Sequence, residues 1–507
     1  MAARRRLVSL VSAAAVIAVA ALILSDGDAA NVTIPRGALR LEIGGHTDSR
    51  PVAPGFVGFS IEYPSLLAYS GYNPAGLNPT FLNLVRNLTP GQRPVLRFGG
   101  DTTDWTWWPT PAVARPRGIR YALGSRWLAV ARATARSLDA RFIAGVNFES
   151  DQPAIAATEA NQLVRGIGTP YLAGLELGNE PEVYGSLGWY STATGTPVPG
   201  RPASYDFAHF LPDYKSVAAV LPRGVPLVGP ASGAVPWISG LGRFLVANPG
   251  VQIATFHRYP LHRCFTARSS PDYPTIANLL APVAASGPAT SLQSAAAVAH
   301  AHGISFRVDE LNSVSCAGKR GVSDTFASAL WSLDTLFASV RAGVDGVNIH
   351  TFKNAVYEPF GFRRSAGRWH AQVKPLYYGL LAFARAAPPG SRLLPTFSPP
   401  RPGLRVWATR ASDGTVRLLL INVSARRALI VAARAPGAVG TASLQRLRAP
   451  RLSARGGVTL GGQSFGATTA TGRLGGQPRS VALTSVGGRY VVRVGPASAV
   501  LVTFTRP

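Results

Sequence analysis

The stretch LELGNEPEVYG, residues 175–185, runs from an alternation of apolar with small or polar residues straight into Asn-Glu-Pro. Such a run belongs inside a sheet, yet it ends on an amide, a carboxyl and a proline. Proline has no backbone N–H and cannot continue a ladder. The pattern therefore predicts that the strand stops at Pro181, with Asn179 and Glu180 on the rim where the chain leaves the sheet.

Outward from that strand the same alternation of elements repeats. Short β-rich runs occur at 56–63, 94–100, 141–150, 172–181, 225–231, 253–260, 304–313 and 343–352, with helical segments between them, such as 126–138, 291–302 and 324–341. Eight strands alternating with helices predict an α/β fold, a (β/α)8 TIM barrel over 51–385, whose functional residues come from the C-terminal ends of its strands. Polar residues do gather there: Glu62, Asp101, Asn147, Glu149, Asn179, Glu180, His257, Glu310 and His350.

Beyond Ala386 the helical pattern stops and short strands alternate with Gly and Pro turns, which predicts a C-terminal β-sandwich over 386–507. Its one acidic residue, Asp413, excludes it as a source of paired catalytic carboxyls. Within the 31–50 segment, the strand-like run 37–44 is expected to pair with that sandwich.

The net charge of +27 is nearly all arginine, and Lys occurs only at Lys215, Lys319, Lys353 and Lys374. The arginines are scattered singly, with no basic helix or aromatic-basic platform, so the charge does not indicate a nucleic-acid partner. Residues 1–30 begin with an Arg cluster followed by an apolar run from Leu7 to Leu24, and read as an export signal or an uncleaved N-terminal membrane anchor. The expected location is secreted or extracytoplasmic and membrane-anchored, where the two cysteines, Cys264 and Cys316, are expected to form a disulfide.

Glu180 closes the fourth strand and Glu310 the seventh, so a closed barrel sets them across its mouth from each other. Two facing carboxyls are the machinery of glycoside hydrolysis, with retention when they are about 5 Å apart and inversion when the gap admits water. Asn179 is placed to donate to a sugar hydroxyl beside the reacting carbon. The mechanism needs Glu310 ionised while Glu180 carries the proton. The plainer reading makes each a salt-bridged rim residue, Glu310 to Arg307 for instance. Trp105, Trp107 and Trp108 are expected to pack beneath a loop, and His257 and His350 to make polar contacts rather than bind a metal.

The segments LRFGGDTTDW (96–105), ELGNEP (176–181), FHRYPLHRC (256–264), ELNSVSCAG (310–318), GVSDTFASALWSLD (321–334) and VYEP (356–359) together resemble the family 79 glycoside hydrolases, which include β-glucuronidases and heparanase. The resemblance implies that Glu180 is the acid/base and Glu310 the nucleophile in retaining cleavage of a β-linked uronide, with no metal or organic cofactor. It also implies that Glu62, Asp101 and Asn179 hold sugar hydroxyls. The uronate would lie against Tyr357 and the amides of Ser315 to Gly318, with Tyr259 beside the nucleophile. Some relatives carry paired glycines in that loop, and Cys316-Ala317-Gly318 here is expected to shift its amides if φ must be positive at Ala317. The implied partner is a uronic-acid-containing carbohydrate. The alternatives are a barrel glycosidase for neutral sugars and a non-catalytic carbohydrate-binding envelope protein.

Overall fold

In the computed structural model the described residues are 33–504, apart from 48, 112 and 439, so the export signal or anchor expected at 1–30 lies outside them. Eight parallel strands close into a barrel: Val57–Ile61, Val95–Phe98, Arg141–Val146, Leu172–Leu177, Leu227–Ser232, Val251–Arg258, Ser305–Leu311 and Gly346–Thr351. Each pairs with its neighbours in sequence, and the eighth closes on the first with Val347 opposite Val57. Strands packed between a filled barrel interior and an outer layer of helices are buried on both faces, which is why their sequences read as nearly continuous apolar runs.

The fourth strand ends earlier than the sequence suggested. It stops at Leu177, because Gly178 turns at φ +73° and a Cβ there would lie 2.2 Å from the Tyr184 hydroxyl. Glu180 is itself left-handed at φ 50°, and Pro181 opens a short 3-10 turn, Pro181–Val183, instead of ending the strand. The turn needs that proline less as a stop than as a first helical residue, whose N–H would have no partner anyway.

Helix Phe326–Arg341 is buried along every residue but its last. A helix apolar all round must be covered on both sides, and this one lies between the barrel and the β domain. Trp407 of the β domain stacks on Phe337 with ring centroids 5.5 Å apart and donates its indole N–H to Asp334 at 2.7 Å.

The C-terminal region forms two facing sheets whose shared core includes Leu41, Leu420, Val431, Val492 and Val502. One member of the smaller sheet comes from the other end of the chain. Strand Leu39–Ile43 runs parallel to Leu429–Arg434, with Leu41 opposite Ala433, and antiparallel to Thr396–Phe397 on its other side.

Candidate active site

Arg97 lies on the second barrel strand with none of its side chain open to solvent. Its Nε donates to Glu176 at 2.6 Å and faces Asp309 at 3.1 Å. One terminal nitrogen donates to Glu310 at 2.8 Å and to Ser60 at 3.1 Å, and the other to the Asn179 amide oxygen at 2.9 Å. A single planar fork thus sets the positions of the seventh-strand carboxyl and the fourth-strand amide. Because the guanidinium takes the Asn179 oxygen, the NH2 is the donor that this amide has left, although the buried Asn179 is not itself among the residues lining the cleft. Burial and the neighbouring Glu176 charge drive the Asp309 carboxyl well above the usual carboxylate range. Arg97 thus gathers three buried carboxyls, Glu176, Asp309 and Glu310.

Glu310 is buried, and burial by itself would raise its pKa. His350, His257, Arg97 and the Tyr259 hydroxyl outweigh this and hold it at about 2. Tyr259 donates to Glu310 Oε1 at 2.7 Å, and His350 Nδ1 lies 3.5 Å from Oε2. Opposite stands Glu180, with 29% of its side chain exposed against 8% for Glu310. His257 Nδ1 sits between them, 3.1 Å from Glu180 Oε1 and 4.0 Å from Glu310 Oε2, and one oxygen of each carboxyl and this nitrogen all fall within 4.8 Å of one another. Three such atoms are a set that a divalent cation also takes. Here one of the carboxylates is already bonded to a guanidinium, whose charge opposes a cation at the same oxygens.

Around this pair lies a cleft of about 840 Å³. Its lining includes Glu62, Asp101, Tyr259, Cys316, Ala317 and Tyr357, which brings most of the expected site residues together. Glu62 accepts from the Thr102 N–H at 2.9 Å and from the Thr102 hydroxyl, and Gly100 lets the chain pass so close that a Cβ there would lie 2.5 Å from Glu62 Oε1. Asp101 opens onto the cleft. Restricted solvation and the carboxyls of Glu62, Glu310 and Glu180 raise it to about 8.

The loop after the seventh strand holds three successive left-handed residues, Cys316 at φ 57°, Ala317 at 67° and Gly318 at 82°. Alanine was expected to move these amides, but Ala317 takes the conformation that glycine would. A left-handed non-glycine residue costs roughly 1–2 kcal/mol and persists where its surroundings hold it. Val356 donates to the Ala317 carbonyl at 2.8 Å, Ser315 donates to Leu261 at 2.9 Å, and Cys316 is joined to Cys264 by a disulfide with Cα atoms 6.3 Å apart. Among the described residues, the N–H groups of Cys316, Ala317 and Gly318 donate to no acceptor.

Other strand-end residues serve elsewhere. Asn147 donates to the carbonyls of Asp104 and Thr106, both at 2.8 Å, and Glu149 lies under Gly200, raised to about 9 by burial. Trp107 is buried with Ile119, Ile155 and Trp189, Trp105 carries Arg120 over its ring at 3.8 Å, and neither these nor Trp108 lines the cleft. Arg307 does not pair with Glu310; it bonds Asn348 and the Gly55 carbonyl.

Sequence reasoning missed Arg97 and Asp104. Asp104 accepts from the N–H groups of Phe148 at 2.8 Å, Glu149 at 2.9 Å and Asn179 at 2.9 Å, and from the Tyr184 hydroxyl at 2.6 Å. It fixes the backbone that presents Asn179. The available signal was an ionisable residue at a position that the strand or rim pattern required to be buried.

Residues 406–501 match the glycosyl hydrolase family 79 C-terminal beta domain. A β-glucuronidase of Neurospora crassa is 25% identical over 454 residues, covering 78% of this chain and 76% of that one. Among solved structures, a 4-O-α-L-rhamnosyl-β-D-glucuronidase of Fusarium oxysporum 12S superposes with a TM-score of 0.67 at 20% identity, over 92% of this chain and 100% of that one. A GH51 arabinofuranosidase of Xanthomonas axonopodis pv. citri superposes with a TM-score of 0.65 at 16% identity, over 92% and 100%. These two likenesses speak to the fold alone: a barrel carrying an antiparallel β domain. With the matched β domain and the kinship to the Neurospora enzyme, the chain carries the C-terminal domain of the family 79 glycoside hydrolases and is similar to them along most of its length.

Proposed function

We propose that the protein is an exported retaining β-glucuronidase. The observation that carries this reading is the approach of a Glu180 oxygen to a Glu310 oxygen within 4.8 Å. That gap matches the spacing of about 5–5.5 Å at which one carboxylate attacks carbon directly and is too narrow for an intervening water.

Glu310 attacks the anomeric carbon while Glu180 gives its proton to the departing oxygen, which breaks the glycosidic bond and leaves a glycosyl ester. Glu180 then takes a proton from water, which attacks the same carbon and frees Glu310. Arg97 and Tyr259 keep Glu310 anionic and aimed, and the Asn179 NH2 donates to the hydroxyl on the adjacent carbon as positive charge develops. The Tyr357 hydroxyl, held neutral by burial, and the free amides of Cys316 to Gly318 are neutral donors suited to a uronate. Neutral donors bind that anion without cancelling the field of the nucleophile beside it. A disulfide close to the cleft fits work in an oxidising compartment.

The test is release of 4-nitrophenol from aryl β-glycosides. The glucuronide should be cleaved at least about a hundredfold faster than the galactoside or xyloside, since a missing partner leaves buried polar groups unpaired. Comparable rates on the neutral sugars would defeat the uronide assignment.

A further inference from the structure

The cleft extends beyond the catalytic pair onto the loops and helices that follow the fourth, fifth and sixth barrel strands. A Cβ on Gly233 would lie 3.0 Å from oxygens of both Glu180 and Glu182, so the segment 233–235 abuts the group that we assign as the acid. Beyond it the wall is apolar and open. Leu187 is 47% exposed, Val235 56%, Phe265 73% and Val283 63%, and all four line this one cleft although they come from loops or helices after three different strands. Large exposed apolar side chains scattered singly need no explanation, whereas a contiguous group rimming a polar centre marks a binding surface. Phe265 follows Cys264, so the disulfide to Cys316 ties this wall to the carboxylate loop.

The cleft is short of the cations in which the protein abounds. The chain carries 51 Lys and Arg, yet among the described residues Arg258 is the one Lys or Arg that lines the cleft, with two of its nitrogens bonded to Gly233 O at 2.5 Å and Ser291 Oγ at 3.0 Å and its third buried without a hydrogen-bond partner. Glu62, Asp101, Glu180, Glu182, Asp272 and Glu310 line the same cleft. A leaving group that was itself an acidic or sulfated sugar would meet carboxyls and exposed hydrocarbon in place of paired cations.

We infer that the leaving-group side of the cleft is built for an apolar aglycone, and that the substrates are β-glucuronides of hydrophobic alcohols or phenols rather than acidic polysaccharides. The inference rests on the reading of Glu180 as the acid, since that carboxyl fixes which side the leaving group occupies.

The experiment compares kcat/KM on methyl β-glucuronide, hexyl β-glucuronide and a glucuronic acid β-linked to a second uronic acid. The two alkyl leaving groups differ little in intrinsic reactivity, so their ratio reads the wall. Hexyl should exceed methyl by about tenfold or more, as expected for several methylenes leaving water, and the acidic disaccharide should be the poorest of the three. In Phe265→Ser and in Val235→Asn, both at exposed positions, the hexyl-to-methyl ratio should drop about threefold or more. Methyl or the acidic disaccharide cleaved as well as hexyl, or a ratio unmoved in both variants, overturns the inference and leaves the glucuronidase reading standing. Cleavage of no glucuronide at all overturns both.

Discussion

Arg97 Nη1 and Glu310 Oε2 meet at 2.8 Å, the guanidinium wholly closed to solvent and the carboxylate nearly so. The same cation bonds Glu176 at 2.6 Å, so its removal takes from two buried carboxylates the guanidinium they share. Arg97→Met should cost about 3–5 kcal/mol of stability, because a broken buried ion pair leaves the surviving charge desolvated. Urea unfolding measures this, and Glu310→Gln added to Arg97→Met should recover part of the loss. A cost below about 1 kcal/mol would remove Arg97 from its structural role.

The two proposed catalytic carboxyls should fail in different ways. Glu310→Ala should lose on the order of 10⁴-fold or more in kcat on every glucuronide. Glu180→Ala should lose far less on a 2,4-dinitrophenyl glucuronide, whose leaving group needs no proton, and added azide should speed its turnover while forming the β-glucuronyl azide. NMR of the azide product checks both assignments. An α-azide from the Glu180 variant would reverse the roles.

Stability should fall from mildly acidic pH toward pH 9. Glu182 is raised to about 8 and Glu149 to about 9, chiefly by loss of solvation. A carboxyl raised in the fold stabilises it fully below the unfolded value of about 4, and the contribution is lost as pH climbs through the folded value. Glu310, held at about 2, acts in the opposite sense, and its contribution is lost only as pH falls toward 2. Melting temperature followed from pH 5 to pH 9 should decline, and Glu149→Gln should flatten the decline. A melting temperature that rises across this range would contradict the assignment.

Ala317 holds φ 67° between two other left-handed residues. A β-branched side chain tolerates that conformation worst, so Ala317→Val should lose about 1–3 kcal/mol. Ala317→Gly should lose none, because relief of strain offsets the greater freedom of the unfolded chain. Thermal unfolding of the two variants separates these outcomes, and equal losses in both would show that backbone conformation is not what constrains the position.

The barrel was legible because each of its strands is buried on both faces and separated from the next by a helical segment, a pattern in which even rough boundaries preserve the count. The ends were read too long. Residues 172–181 looked like one strand, but Gly178 and Glu180 are left-handed, and a one-letter sequence does not display that turn. Glu180 and Glu310 were found by their places at strand ends. Arg97 was not, because an arginine amid Val95, Leu96 and Phe98 does not display its partners, and only the closed barrel shows it pointing at four acceptors. Asp104 was hidden for a similar reason: its partners come from the turns beyond the third and fourth barrel strands, brought together by tertiary closure.

Strand Leu39–Ile43 is not a decoration on the barrel's entrance. It fills an interior slot of the small sheet, hydrogen-bonded on both sides by segments more than 350 residues later in the chain. A ribosome therefore makes this strand well before the segments it pairs with. Until those emerge, its alternating apolar face has no sheet to enter. A separately expressed 386–507 fragment would carry an open seam where the missing strand belongs, inviting sticky edge-to-edge association of copies.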